Sequence, residues 1–83
     1  MRLPIIKQLI EGGDFDEDYM EEAVEVLLSI SESRGLKDEE MEVIGELISN
    51  ISGAQEVMVD IKKGTPQKEA LNRFMKRVMN AIK

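Results

Sequence analysis

The sequence predicts an all-α fold: a small antiparallel helical bundle of one short first helix and three longer helices, in a single domain over residues 1–83. Three observations predict it. Apolar residues recur at intervals of three and four along the whole chain. Glycine and proline residues divide the chain into four segments, and the strict apolar–polar alternation of a strand never persists. Short linkers make neighbouring helices antiparallel.

The first two segments have recognisable starts and ends. Pro4 suits the first turn of helix 1, where no N–H donor is needed, and Gly12-Gly13 ends that helix. Asp14 and Glu17 form a capping-box pattern that predicts the start of helix 2, and Gly35 is expected to close it. The apolar stripe of helix 1 is Leu3, Ile6, Leu9 and Ile10. That of helix 2 is Tyr19, Ala23, Val26, Leu27 and Ile30, widened by Met20, Val24 and Leu28.

Helices 3 and 4 follow the same logic. Asp38 is expected to cap helix 3, and Lys62-Lys63-Gly64 to end it with cations at the negative end of the dipole. Gly53 could divide helix 3, but the stripe keeps its phase there, so we expect one helix with a kink at most. Thr65-Pro66 begins helix 4. The helix 3 stripe is Met41, Ile44, Leu47, Ile48, Ile51, Ala54, Met58 and Ile61; the helix 4 stripe is Leu71, Phe74, Met75, Val78, Met79 and Ile82. Helices 2 and 3 are expected to form a central hairpin, with helix 4 packed back on it.

Composition excludes several classes of function. The chain has no Cys and no His, so it has no disulfide, no thiolate metal site and neither the commonest metal ligand nor the commonest general base. Gly12-Gly13 lacks the pattern of a phosphate-binding loop. We therefore predict a non-enzymatic protein with no catalytic, cofactor or metal site.

Hydropathy gives an expectation about location. The longest apolar run, Val26-Leu27-Leu28, is too short for a membrane span, and the charged start is too short for a signal peptide. We expect a cytoplasmic protein that does not enter a membrane.

Charge divides the chain into two unequal parts. Residues 1–60 hold 16 acidic and four basic residues, a net charge of −12, whereas residues 61–83 hold seven basic residues and Glu69, a net charge of +6. Such a chain either neutralises itself or offers two charged surfaces to partners. We expect helix 4 to lie beside acidic helix 2 or helix 3, with many of its cations facing those acids.

Two patterns have both a functional and a structural interpretation. Asp14, Asp16, Asp18 and Glu25 have the spacing of a calcium-binding loop, but Tyr19 stands where the sharp turn needs Gly. We favour an acidic first helical turn at the positive end of the helix dipole. The five internal methionines could line an adaptable binding groove, but we favour a role in the core.

Two sets of residues are the candidate interaction sites. Small residues at four-residue spacing, where another backbone can approach closely, mark either a tight crossing inside the bundle or a dimer seam: Gly45, Ser49 and Gly53. Basic residues on the outer side of helix 4 mark either pairing with acidic helices or a docking surface for an acidic partner: Arg73, Lys76 and Arg77, together with Lys83. Nucleic acid is not the expected partner, because the protein is acidic and no aromatic residue lies among these cations.

Several motifs carry a family resemblance. The segments Lys37-Asp38-Glu39-Glu40, residues 43–50, Gly53-Ala54, residues 64–75 and the start Leu3-Pro4-x-Ile6-Lys7 resemble a family of small uncharacterised bacterial proteins, a domain of unknown function; residues 8–35 match it more loosely. The resemblance implies a helical fold and supplies no active site. Genes of that family lie near thioredoxin-like and peroxiredoxin genes, which would imply at most an accessory role, because a chain without Cys cannot carry out thiol chemistry.

The function we predict is a protein–protein interaction module. A small core without covalent cross-links favours oligomerisation, so we expect a homodimer that also binds another protein, with the apolar faces of helices 3 and 4 partly buried between the copies. Two alternatives stay open. One is an immunity-like protein whose acidic face neutralises a basic partner, and the other is a carboxylate metal-binding or enzymatic bundle.

Overall fold

The computed structural model describes residues 3–13 and 15–81, in which four α-helices pack against one another and no strand is found. The helices are α1 (Leu3–Glu11), α2 (Glu17–Ser31), α3 (Asp38–Lys62) and α4 (Gln67–Ala81). They take up 82% of this part of the chain, and the prediction of an all-α bundle is confirmed. Asp14, Ile82 and Lys83, to which the sequence assigns roles, lie outside the described residues.

Helix α1 follows its prediction, whereas α2 differs at both ends. Pro4 lies in the first turn of α1, and that helix ends before Gly12. The N-cap of α2 is Asp16 and not Asp14, and its side chain accepts a hydrogen bond of 2.8 Å from the backbone N–H of Tyr19. Helix α2 ends at Ser31, before Gly35, because the Ser31 hydroxyl donates to the carbonyl of Leu28 at 2.6 Å and competes with the helical bond there.

Helix α3 is one continuous helix of 25 residues that runs through Gly53. Its N-cap is Lys37 and not Asp38, because the Glu40 carboxylate accepts a hydrogen bond of 3.0 Å from the Lys37 backbone N–H and satisfies that donor. Its end is as predicted: Gly64 has a φ of 105° and donates to the Ile61 carbonyl at 3.0 Å. That left-handed conformation favours glycine and closes the helix.

Helix α3 is the centre of the fold. Helices α1, α2 and α4 all pack on it, and α1 also contacts α4. Within the described residues α2 and α4 do not contact each other, so α4 lies beside α3 and not beside α2. The predicted hairpin of α2 and α3, with α4 packed back on it, is confirmed in that form.

The buried core lies at one end of the molecule. Its α3 members, Ala54 and Val57, come from the second half of that helix, and α2 contributes Met20 from its first turn. The other buried apolar side chains come from α1 and α4: Ile6, Ala70, Leu71 and Phe74. No residue between 21 and 49 belongs to this cluster. Most of α2 and the first half of α3 therefore form a two-helix hairpin that projects beyond the core.

The dimensions of the molecule agree with this arrangement. Its principal extents are 43 × 32 × 17 Å, and α3 alone is about 37 Å long at about 1.5 Å per residue. Helix α1, with nine residues, is only about 13 Å long. A third layer over the whole hairpin is therefore impossible for α1, and the far part of the hairpin stays uncovered.

Candidate interaction surface

An apolar groove runs along one side of the projecting hairpin. At its tip, an open depression of about 390 Å³ is lined by Ile30, Leu36, Val43 and Ile44, with Glu39 and Glu40 at its edge. At its other end, beside α1, a second depression of about 250 Å³ is lined by Leu9, Phe15, Tyr19, Met20, Ala23 and Ile51. Both depressions lie between α2 and α3.

Two exposed apolar residues connect the depressions. Val26 follows Ala23 by three residues and precedes Ile30 by four, so it lies on the same side of α2. On α3, Leu47 lies four residues after Val43 and four before Ile51, so these three residues share one side of that helix. Val26 is 59% exposed and Leu47 is 44% exposed. We call this continuous surface the open groove: Tyr19, Ala23, Val26, Ile30, Leu36, Val43, Ile44 and Leu47.

Helix α1 borders the closed end of the groove, where it packs on α3 and α4. Its Ile6 is fully buried, and its Leu9 shares a depression with Tyr19 and Ala23 of α2. Polar contacts also close this end: Lys62 forms an ion pair with Glu17 at 3.2 Å, and the Gln55 amide donates to the Glu17 carbonyl at 3.3 Å. The groove is thus bounded by α1 at one end and open along the rest of the hairpin.

The rims of the open groove are acidic. On α3, Glu39 precedes Val43 by four residues and Glu46 follows it by three; on α2, Glu22 has the same spacing to Tyr19 and Val26. Glu22, Glu39 and Glu46 are all exposed. Residues 17–49 contain 11 acidic residues and only two basic ones, Arg34 and Lys37, both at the turn between the helices.

The opposite side of the hairpin has a different character. Leu28 and Met41 are exposed, and each lies two residues, or about 200°, from a residue of the open groove. Gly45 lies on this side of α3, and a Cβ added there would meet no atom within 4 Å. We call this surface the back face: Leu28, Met41 and Gly45.

The predicted line of small residues is divided by the structure. Gly45 is exposed, Ser49 is half-buried and Gly53 is buried. The interpretation as a tight crossing inside the bundle is therefore wrong for Gly45, because none of the other three described helices reaches it. It fits Gly53, which lies beside the core residue Ala54.

The basic residues of α4 make fewer ion pairs than the sequence predicts. Arg77 pairs with Asp60 of α3 at 3.6 Å. Lys68, Arg73 and Lys76 are exposed and form no ion pair with the described part of the chain. The expectation that many cations of α4 face acids is wrong, because α4 does not contact α2 and its outer side faces away from α3.

The acidic segment that imitates a calcium-binding loop is mostly helical. Helix α2 starts at Glu17, so Asp18 and Glu25 lie on a helix, and the Asp16 carboxylate caps it. Among residues 3–13 and 15–81, no group of three or more carboxylates is placed to hold a metal ion. In the same residues, no helix is long and apolar enough to cross a membrane.

The methionines divide between core and surface. Met20 is buried, and Met58 and Met75 pack against the core. Met41 and Met79 are exposed, so the predicted core role holds for three of the five.

Sequence reasoning missed two residues of the open groove. Leu36 lies in a turn, outside every helical stripe, so periodicity gave no signal for it. Val43 is outside the expected stripe of helix 3. Its spacing of four residues from Leu47 and from Glu39 could have shown that it lies on the same side of the helix as they do. The other groove residues were expected in the core. Ala23 and Ile44 are half-buried, and four are exposed because nothing in the described chain covers them: Tyr19, Val26, Ile30 and Leu47.

These features define a small all-α bundle whose central hairpin exposes an apolar, acid-rimmed groove. The chain belongs to a family of unknown function, DUF6952, which matches residues 1–83. The match extends the resemblance seen in the separate motifs to the entire sequence. No curated protein and no solved structure matches the chain.

Proposed function

We propose that this protein is a non-enzymatic protein–protein interaction module that acts as a homodimer and binds a further protein. The observation that carries the proposal is the hairpin that projects beyond the core. On it, large apolar residues are exposed on both sides; Val43 of the open groove is 54% exposed and Leu28 of the back face is 49% exposed. Clustered exposed apolar residues on a small protein mark interaction surfaces.

The back face supports the homodimer. A glycine in an exposed helix interior lowers helix stability by about 1 kcal/mol relative to Ala, and Gly45 has no packing neighbour in the described part of its own chain to compensate. A second α3 that crosses at Gly45 would approach closely and would cover Met41 and Leu28. The apolar surface contributed by α4 is smaller than the sequence suggests, because Leu71 and Phe74 are already buried.

Light scattering at about 100 μM protein tests the homodimer, a concentration at which a complex with a micromolar dissociation constant is mostly associated. We expect the mass of a dimer for the natural chain and of a monomer for Gly45→Leu. Asn72→Leu, at an exposed position of α4, is the matched control and should stay dimeric. A monomeric natural chain would reject the homodimer, and a dimeric Gly45→Leu would move its interface away from the back face.

The acidic hairpin supports a second candidate function, an immunity-like protein that neutralises a basic partner. Its support is the charge of residues 17–49, which hold 11 acids against two cations. The two functions share the interaction class and differ in the consequence of binding. An activity assay of a captured basic partner, with and without this protein, separates neutralisation from simple recruitment.

The proposal keeps the cytoplasmic location expected from the sequence, which cell fractionation would test. The remaining alternative, a carboxylate metal-binding or enzymatic bundle, has no supporting group of side chains among the described residues. Calorimetric titration with Ca²⁺, Mn²⁺ and Fe²⁺ tests it directly.

A further inference from the structure

We infer that the open groove binds a basic amphipathic helix of a partner protein. The inference rests on the proposed function, because it names the chemistry of the partner that the interaction module would take. It concerns the groove alone and not the back face assigned to the homodimer.

The shape of the groove fits one helix. Between Tyr19 and Ile30 the groove runs for about 16 Å, or about three helical turns at 5.4 Å each. At its closed end α1 packs on α3, and Leu9 of α1 lines the second depression together with Tyr19 and Ala23 of α2. A partner helix with apolar residues at three- and four-residue spacing would continue the packing that α1 begins, which is the usual geometry of a helix in a groove.

The charge of the groove selects a basic helix. Glu39, Glu40 and Glu46 flank the α3 side, and Glu22 flanks the α2 side. Because the apolar floor lies between these acids, a helix seated on it would place its flanking residues beside carboxylates on both sides. Cations at those flanks would be attracted and acids repelled, so electrostatics favours a basic helix and excludes an acidic one.

The described helices of this chain do not supply the basic helix. A second copy offers two amphipathic hairpin helices, both acidic, and they would bring carboxylates against carboxylates at the rims. The basic helix α4 buries its apolar residues Leu71 and Phe74 against the core, and its outer side carries Lys68, Arg73 and Lys76. The apolar floor and the acidic rims of the groove therefore both favour a basic helix from another protein.

Binding of three designed peptides of about 18 residues, long enough to form a helix on the surface, tests the inference by calorimetry. The first has leucines at helical spacing flanked by lysines, the second has the same leucines flanked by glutamates, and the third has the composition of the first in scrambled order. We expect the first peptide to bind one site per chain at least about tenfold more tightly than the others, a difference of about 1.4 kcal/mol.

Protein variants show whether binding occurs in the groove. Val43→Glu should abolish binding of the basic peptide, and Asn72→Glu, at an exposed position of α4 outside both surfaces, should leave it unchanged. The double variant Glu39→Lys/Glu46→Lys should weaken the basic peptide and strengthen the acidic one. Circular dichroism checks that each variant is helical, and if Val43→Glu is not, Leu47→Glu replaces it.

Three results would overturn the inference. The first is equal binding of the basic and acidic peptides, and the second is binding that survives a charge in the groove. The third is a dimer that dissociates on Val43→Glu, which would assign the groove to a second copy. Because Gly45→Leu and light scattering test the homodimer separately, a natural chain that is dimeric but does not bind the basic peptide rejects this inference without rejecting the proposed homodimer.

Discussion

At the scale of single residues, the two glycines inside α3 have opposite surroundings. Gly45 is open to solvent and Gly53 is buried. We expect Gly45→Ala to raise the free energy of unfolding of the monomer by about 1 kcal/mol, because Ala forms helix more readily than Gly. Gly53→Ala should lower it by about 1–3 kcal/mol, because a methyl group added at this buried position overpacks the side chains around it.

Denaturant melts at low micromolar concentration, where dimerisation contributes least, measure both changes. The two variants add the same methyl group to the same helix, so each controls for the other. A loss of stability on Gly45→Ala would show that another part of the chain packs against this position. A gain on Gly53→Ala would remove the packing role of that glycine.

The helix caps show how far single residues could be predicted. The sequence patterns predicted Asp14 and Asp38 as caps at two helix starts, and either can accept a backbone hydrogen bond. The choice depends on backbone geometry: Asp16 accepts from Tyr19, while the Glu40 side chain takes the exposed donor of Lys37. A backbone position with a positive φ restricts the residue type more than a cap does, because it strongly favours glycine. The role of Gly64 at the end of α3 was therefore predicted correctly.

At the scale of helices, the ion pair between Arg77 and Asp60 is the only one that α4 forms within the described residues. The Arg77 side chain is 54% exposed and that of Asp60 is 21% exposed, so the pair is worth about 0–1 kcal/mol. Arg77→Glu should lower stability by about that amount at low salt. Arg73→Glu, one turn away on the outer side of the same helix, should change stability by less.

Thermal melts at low and high salt measure this difference. Above about 0.5 M salt the screening length is only a few Å, so the effect of Arg77→Glu should shrink. Equal losses of stability for the two variants would show that the net negative charge of the chain stabilises the packing of α4, and not this ion pair.

The apolar stripes predicted the helices better than they predicted burial. Every helix was found where its stripe indicated, because the spacing of apolar residues fixes the period. Glycines mark the ends of α1 and α3, whereas α2 ends at Ser31, before Gly35. Val26 and Leu47 were nevertheless expected in the core and are exposed. A stripe shows which side of a helix is apolar, but only the lengths of α1 and α4 decide how much of that side is covered within the chain.

At the scale of the whole molecule, the position of the core predicts uneven protection from hydrogen exchange. Amides of residues 50–61 lie in the helix that α1, α2 and α4 all cover, whereas residues 24–46 lie mainly in the projecting hairpin. Regions with few buried apolar contacts open locally at lower free energy. We expect the amides of residues 24–46 to exchange faster in dilute protein, and to become more protected as the concentration rises and the homodimer forms.

Exchange followed by mass spectrometry at about 1 and about 100 μM, concentrations on either side of a micromolar dissociation constant, measures both effects. Residues 67–74 of α4, which contribute Ala70, Leu71 and Phe74 to the core, serve as the internal control. Uniform protection at the lower concentration would contradict the division between core and hairpin. Protection of the hairpin that does not change with concentration would argue against the dimer.

The open groove also contains a natural spectroscopic label. Tyr19 is the sole tyrosine of a chain with no tryptophan; it is 61% exposed, and its ring meets that of Phe15 edge to face with centroids 5.7 Å apart. Nearly all intrinsic fluorescence excited at wavelengths that tyrosine absorbs therefore comes from one position. The emission of the unmodified protein should report occupation of this surface directly, and a partner that carries no tyrosine or tryptophan could be titrated without attaching a dye.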